Sequence, residues 1–270
     1  MDNRPIGVFD SGFGGISVLA AAVSALPEER FVYLGDNLHA PYGAHAEAEI
    51  MSYSRACVRY LIASDCKAIV IACNTATSVA AAALREEINM PIIAMEPALK
   101  PASMLPGGGL VLVLATEVTL KLDKFKQLMD IYGHDAVPIP APKLVEAIEA
   151  GIWEGARIRA LFEEYLAPHL KKPVKAVVLG CTHYVFLKQA LREYLPEHIL
   201  LIDGNGGTAR QLKTRLGQAD LLSGAGGADV SARVMFHSTK NDAKTLKLMQ
   251  TLFDLALDQL PDNQASGPSL

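Results

Sequence analysis

Apolar residues in this chain gather into short unbroken runs instead of alternating with polar ones. Runs at 6–9, 31–34, 68–72, 92–94, 110–114, 136–139, 176–179 and 199–202 have strand length and are rich in Val, Ile and Leu. A strand with one wet face alternates, so a run without alternation predicts a strand covered on both faces. Between these runs lie helical stretches at 16–26, 47–63, 78–88, 120–132, 155–166 and 188–195. Strand and helix in turn predict an α/β fold of mainly parallel sheets with helices on both faces, three layers deep.

The chain also echoes itself. Lys67-Ala-Ile-Val-Ile-Ala-Cys73-Asn-Thr75 is matched by Lys175-Ala-Val-Val-Leu-Gly-Cys181-Thr-His183: strand, small residue, cysteine, polar pair. Weaker echoes pair 6–11 with 111–116 and 31–36 with 136–141. Two pseudo-symmetric α/β domains facing across a cleft follow. Three prolines and the Gly107-Gly108-Gly109 run mark one crossover in 97–109, and Gly204-Asn-Gly-Gly207 marks the return. The expected division is 1–97 plus 207–270 for the first domain and 98–206 for the second. The polar tail after Pro261 is expected to fray.

Composition narrows the chemistry. The 270 residues are 50% hydrophobic and 20% charged, which suits a compact enzyme. A net charge of −4 without a basic stripe argues against nucleic acid as partner. The amino terminus lacks signal-peptide regions and the most apolar stretch, 68–84, is too short and too polar for a membrane span, so a cytoplasmic protein off the membrane is expected. The four cysteines form no CxxC pair, which disfavours a disulfide framework or structural zinc.

In parallel α/β sheets ligands bind beyond the carboxyl ends of the strands, where Cys73 and Cys181 both fall. A lone cysteine is usually a small buried hydrophobe, and that reading is kept for Cys57 and Cys66. For the echoed pair, facing halves would carry one thiol to each side of a shared cleft, suited to removing a proton from one face of a carbon and returning it on the other. A thiol ordinarily titrates at about 8.5, so surroundings must keep one partly ionised and its opposite protonated. Asn74 and Thr75 stand where a helix opens and can favour a thiolate or bind a carboxylate, and Thr182 and His183 offer similar groups beside Cys181. Asp10 and His183 are candidate proton handlers, although a turn-capping carboxylate and a satisfied loop histidine are equally natural on spacing alone. The Gly-rich turn Asp10-Ser-Gly-Phe-Gly-Gly-Ile-Ser17 is only a weak dinucleotide signal, being GxGG and not GxGxxG, even with Asp36 after the next strand. Pro41-Tyr-Gly43 alone reads as a turn.

Four motifs in order, Val8-Phe-Asp10-Ser-Gly-Phe-Gly-Gly15, Gly35-Asp36 with Pro41-Tyr-Gly43, Ala72-Cys-Asn-Thr-Ala-Thr77 and Gly180-Cys-Thr-His-Tyr184, resemble the glutamate racemases of the aspartate/glutamate racemase superfamily. The resemblance runs from Ile6 to about Gly207. It implies that Cys73 takes the α-proton of D-glutamate and Cys181 that of L-glutamate, with no pyridoxal phosphate, metal or other cofactor, making D-glutamate for peptidoglycan. It implies that Asp10 assists Cys73 while His183 and Glu149 assist Cys181, with Glu146 a competitor for the last place. Ser11, Pro41, Tyr42, Gly43, Asn74, Thr75, Thr119 and Thr182 are implied as substrate-holding groups, and a homodimer as the assembly. His183 favours glutamate, because aspartate-specific relatives carry an acid there. The chain departs from the pattern at Leu122, Phe125, Ala141 and Val185, none of which is a proton-transfer group.

Overall fold

The computed structural model describes residues 1–224 and 229–260; the tail expected to fray lies outside them. Nine described strands form two sheets: β1 (Ile6–Asp10), β2 (Phe31–Gly35), β3 (Ala68–Ile71), β4 (Ile92–Ala94), β5 (Leu110–Ala115), β6 (Ala136–Pro140), β7 (Val174–Leu179), β8 (Leu200–Ile202) and β9 (Val234–Ser238). The first sheet runs β4-β3-β1-β2-β9 and the second β6-β5-β7-β8, with every pairing parallel. Apart from β9 the two orders coincide when β1 to β4 are matched with β5 to β8. The three echoes in the sequence are therefore echoes of place: β3 with β7, β1 with β5, β2 with β6.

Central strands are buried along their whole length, as β1 and β3 illustrate, and this is why their sequences show no alternation. Edge strands differ. β6 is half-exposed and carries Pro138 and Pro140. Residues two apart in a strand aim their main chain the same way, so both missing N–H groups face the open edge and Val137 and Ile139 keep the ladder to β5.

The helix Ile16–Ala25 is apolar on nearly every side and buried from Ile16 to Val23, as a helix packed all round must be. It lies against Asn205–Gln218, against Ala243–Asp258 and against the turn Thr182–Leu187 that follows β7 of the second sheet. This places the Gly-rich turn preceding it at the seam. The chain crosses from β4 to β5 through the helix Leu99–Ser103 and returns after β8 into Asn205–Gln218.

Several elements differ from expectation. The helix expected at 78–88 opens at Asn74, because Cys73 caps it. The stretch 120–132 is two helices, Glu117–Lys121 and Asp123–Tyr132, with Leu122 extended between them at φ −72° and ψ 144°. Thr116 caps the first of these, and Asp123 begins the second with a favourable acid at its positive end. β9 and the helices Pro142–Glu149, Asn205–Gln218 and Ala243–Asp258 are additional. Among the described residues no helix is long and apolar enough to cross a membrane.

Lys67, just before β3, is buried with its ammonium 2.6 Å from Glu29 Oε2 and also bonded to Asp2 O. Glu29 Oε1 accepts the Ser223 N–H, so the pair fastens the start of the chain to its returning segment. Removing one partner of a buried pair strands the other charge, which costs about 3–5 kcal/mol. Lys67→Met should lower stability by about that amount in urea unfolding, and a loss below about 1 kcal/mol would contradict a desolvated pair.

Candidate active site

Each echoed cysteine stands where its strand has ended and a helical turn opens. Cys73, extended at φ −117° and ψ 121°, caps the helix Asn74–Glu87, and its sulfur accepts the Ala76 N–H at 3.4 Å. Cys181, extended at φ −132° and ψ 137°, precedes the 3-10 turn Thr182–Leu187. Equivalent strands of two sheets thus deliver two thiols to one seam, at the ends where parallel α/β folds hold ligands.

The turns are tied to each other. Asn74 Nδ2 donates to Gly180 O at 2.9 Å, so the residue after one cysteine holds the residue before the other. Thr182 Oγ1 donates to Asp10 Oδ2 at 3.1 Å, and Ser17 Oγ reaches Thr182 O at 3.2 Å. Both cysteines are buried, Cys181 at the edge of one hydrophobic cluster and Cys73 at that of another, and the charge of Cys181 is among those felt by Cys73.

Around Cys73 a short relay leads to a carboxyl group. The thiol donates to Ser11 Oγ at 3.7 Å, and the Ser11 hydroxyl donates to Asp10 Oδ1 at 3.0 Å, which also accepts the Gly12 N–H at 2.9 Å. Asp10 therefore reaches Cys73 through Ser11. Burial raises the Asp10 carboxyl above its ordinary value, opposed by the charge of His183 and the bonds from Gly12 and Ser11. Burial first, then the charge of Asp10, pushes the Cys73 thiol up to about 12.

Around Cys181 the relay is an imidazole. His183 Nδ1 lies 3.6 Å from Cys181 Sγ, and Nε2 lies 2.6 Å from Glu149 Oε1. Burial would lower the imidazole, but the bonds to Cys181 and Glu149 outweigh it and hold His183 well above its ordinary range. Glu149 ends the helix Pro142–Glu149 and is half-buried, whereas Glu146 on the same helix is exposed. Of the two acids, Glu149 reaches the site.

Thr75 Oγ1 stands 3.5 Å from Thr119 Oγ1, which is 2.9 Å from Thr116 Oγ1, so one hydroxyl cluster spans the seam. The turn 41–43 corrects expectation in one respect. The Tyr42 hydroxyl points inward and donates to Asp36 Oδ2 at 2.7 Å, leaving the side chain 1% exposed. Main chain is what this turn can offer, at Gly43, where a Cβ would lie 3.8 Å from Thr116 Cβ. Pro41 is exposed.

The dinucleotide reading of the Gly-rich turn does not survive. A Cβ on Gly12 would collide with Glu149 Oε1, and one on Gly14 with Thr182 Oγ1 and His183 Nδ1. The glycines make room for the other half of the protein, and the carboxyl groups of Asp10 and Glu149 beside them suit no phosphate. Cys57 and Cys66 are buried in the hydrophobic core, and burial pushes both thiols up to about 12. Among the described residues no group of three His, Cys, Asp or Glu side chains could hold a metal ion. Ser17 and the Phe13 N–H, which donates to Glu149 Oε1 at 3.2 Å, escaped the sequence reading. A serine in the first turn of a largely apolar helix was the available signal for the first; a main-chain donor leaves none.

Only a thiolate alkylates. With the Cys73 thiol pushed up to about 12, its ionised fraction grows about tenfold per pH unit below that value. Iodoacetamide labelling of Cys73, followed by peptide mass spectrometry, should therefore accelerate from pH 8 to pH 10 without levelling, and a plateau below pH 9 would contradict a buried neutral thiol. Gly14→Ala should cost about 1–3 kcal/mol in urea unfolding, since its methyl group meets main chain at His183 N, 2.8 Å away, as well as side chains; unchanged stability would mean that the seam is not tightly closed.

The Asp/Glu/Hydantoin racemase family matches residues 12–212. Glutamate racemase of Clostridium perfringens is 45% identical over 261 residues, covering 94% of this chain and 98% of that protein. The structure of Escherichia coli glutamate racemase in complex with L-glutamate and the activator UDP-MurNAc-ala has a TM-score of 0.81 at 30% identity, covering 93% of this chain and 95% of that one. Francisella tularensis glutamate racemase in complex with D-glutamate gives 0.78 at 29%, with coverage of 94% and 95%. Paired cysteines at equivalent strand ends and a match over most of the chain lead to one conclusion: this protein belongs to the Asp/Glu/Hydantoin racemase family.

Proposed function

We propose that the protein interconverts L- and D-glutamate by exchanging the α-proton between Cys73 and Cys181, and that the D-glutamate serves peptidoglycan synthesis. The observation that carries this reading is the Asn74 to Gly180 hydrogen bond, which locks the two cysteine-bearing turns together. The relatives point to the same substrate, for they are glutamate racemases and two of their structures hold glutamate.

From D-glutamate, the Cys73 thiolate takes the α-hydrogen as a proton and leaves the electron pair on carbon, delocalised into the carboxylate. The Cys181 thiol then gives its proton to the opposite face, becoming a thiolate. L-glutamate reacts by the reverse route. Ser11 and Asp10 serve Cys73 as proton relay, and imidazolium His183, steadied by Glu149, serves Cys181. The opening N–H groups of the helix Asn74–Glu87 suit a carboxylate of the substrate. Asn74 Oδ1 is buried without a partner, and such an acceptor fits the substrate ammonium. The described residues of 1–97 and 207–260 form one lobe and 98–206 the other in this reading, and the lobes part to admit substrate to side chains that are otherwise buried.

The test is incubation of L-glutamate in D2O, following optical rotation and α-deuterium. Rotation should decay to zero with one deuterium gained per inversion; folded protein that leaves the rotation unchanged would reject the proposal. Cys73→Ala and Cys181→Ala should each lower racemisation by about 10²–10⁴-fold with the fold intact, because each face of the carbon loses its acid/base. Substantial turnover by either variant would refute the two-thiol scheme.

A further inference from the structure

The peptide unit joining Gly12 to Phe13 is gripped at both ends. Its carbonyl accepts the Tyr33 hydroxyl at 2.8 Å, and its N–H donates to Glu149 Oε1 at 3.2 Å. In a trans peptide these groups point in opposite directions, so a donor at one end and a carboxylate at the other align the same dipole. Tyr33 is fully buried on β2, opposite Val8 of β1, which puts its hydroxyl against the turn that follows β1. Gly35 permits the approach, since a Cβ there would stand 2.9 Å from Gly12 O. Burial and the charges of Asp10 and Glu149 push the phenol well above its ordinary value, so it acts only as a donor.

From this peptide the contacts continue in one direction. Glu149 Oε1 holds His183 Nε2 at 2.6 Å, and His183 Nδ1 faces Cys181 Sγ at 3.6 Å. The Cys73 relay through Ser11 and Asp10 takes its main-chain bond from the preceding N–H, that of Gly12. We propose that Tyr33 is a positioning residue for the Cys181 face of the reaction: through the Gly12–Phe13 peptide it fixes the N–H that seats Glu149, and hence the orientation of His183 against Cys181. The inference rests on the racemase reading above. It places the control of one thiol on the lobe that carries the other.

Tyr33→Phe tests it, because the ring and its packing 6.0 Å from Phe236 are retained while the donor is lost. Racemisation has an equilibrium constant of one, so kcat/KM must fall equally in both directions, by about ten- to a hundredfold if His183 is misplaced. The asymmetry is read instead from isotope effects on kcat/KM with α-deuterated L- and D-glutamate. Weakening the Cys181 side makes proton removal from L-glutamate more limiting, so the isotope effect from L-glutamate should rise while that from D-glutamate falls. In a Glu149→Gln background, Tyr33→Phe should add no further asymmetry. Isotope effects that stay balanced, or the same added asymmetry in that background, would overturn the role. Should Tyr33→Phe accumulate poorly, 3-fluorotyrosine at position 33 strengthens the donor and should move the isotope effects the opposite way; balanced values there would equally overturn it. Wild-type turnover separates the two levels: with active wild type a balanced variant removes only the Tyr33 role, whereas inactive wild type removes the reading beneath it.

Discussion

The architecture depends on a closed polar seam between two sheets. Asn74 to Gly180 and Thr182 to Asp10 are bonds of 2.9 and 3.1 Å across it, joined by those of Ser17 to Thr182 and of the Phe13 N–H to Glu149. Buried donors and acceptors that lose their partners are costly, so these bonds fix register where packing alone would tolerate small slips. They tie the residue after each cysteine to the opposite sheet's turn. The glycines of the 12–15 turn belong to the same constraint, because side chains at 12 and 14 would wedge the seam open against Glu149, Thr182 and His183.

Within that seam the halves are alike in backbone and different in electrostatics. Cys73 is buried near a carboxyl group and capped by one N–H, and its thiol is pushed up to about 12. Cys181 has an imidazole beside it whose far nitrogen is bound to a carboxylate. The two sulfurs thus stand in unlike electrostatic surroundings. The repeated strand and turn put both cysteines at equivalent strand ends, and the residues after them, Asn74-Thr75 against Thr182-His183, supply the difference.

Much of this was legible in the sequence for physical reasons. Central strands are covered on both faces and so appear as apolar runs, and an internal echo survives because both cysteines occupy the same place relative to a strand. β9 was not legible, being a partly exposed edge strand whose apolar run is only Val234-Met235-Phe236. The helix Asn205–Gln218 hid behind Asn205-Gly-Gly207, which reads as a turn, yet its first turn tolerates glycine while packing on Ile16–Ala25 secures the rest. Candidate residues carried by the echo could be named from the sequence, whereas the cross-seam bonds could not, since they join positions 106 and 172 residues apart and leave no local pattern. The inward turn of Tyr42 was hidden for the same reason: its hydroxyl answers to Asp36, buried on another element.

The most direct test of the two-thiol geometry is a crystal structure of the protein with D-glutamate bound, read for the position of the α-carbon relative to both sulfurs. The account predicts Cys73 Sγ and Cys181 Sγ on opposite faces of that carbon, each about 3–3.5 Å from it. An α-carbon with both sulfurs on one face, or with either sulfur outside the substrate's reach, would contradict it.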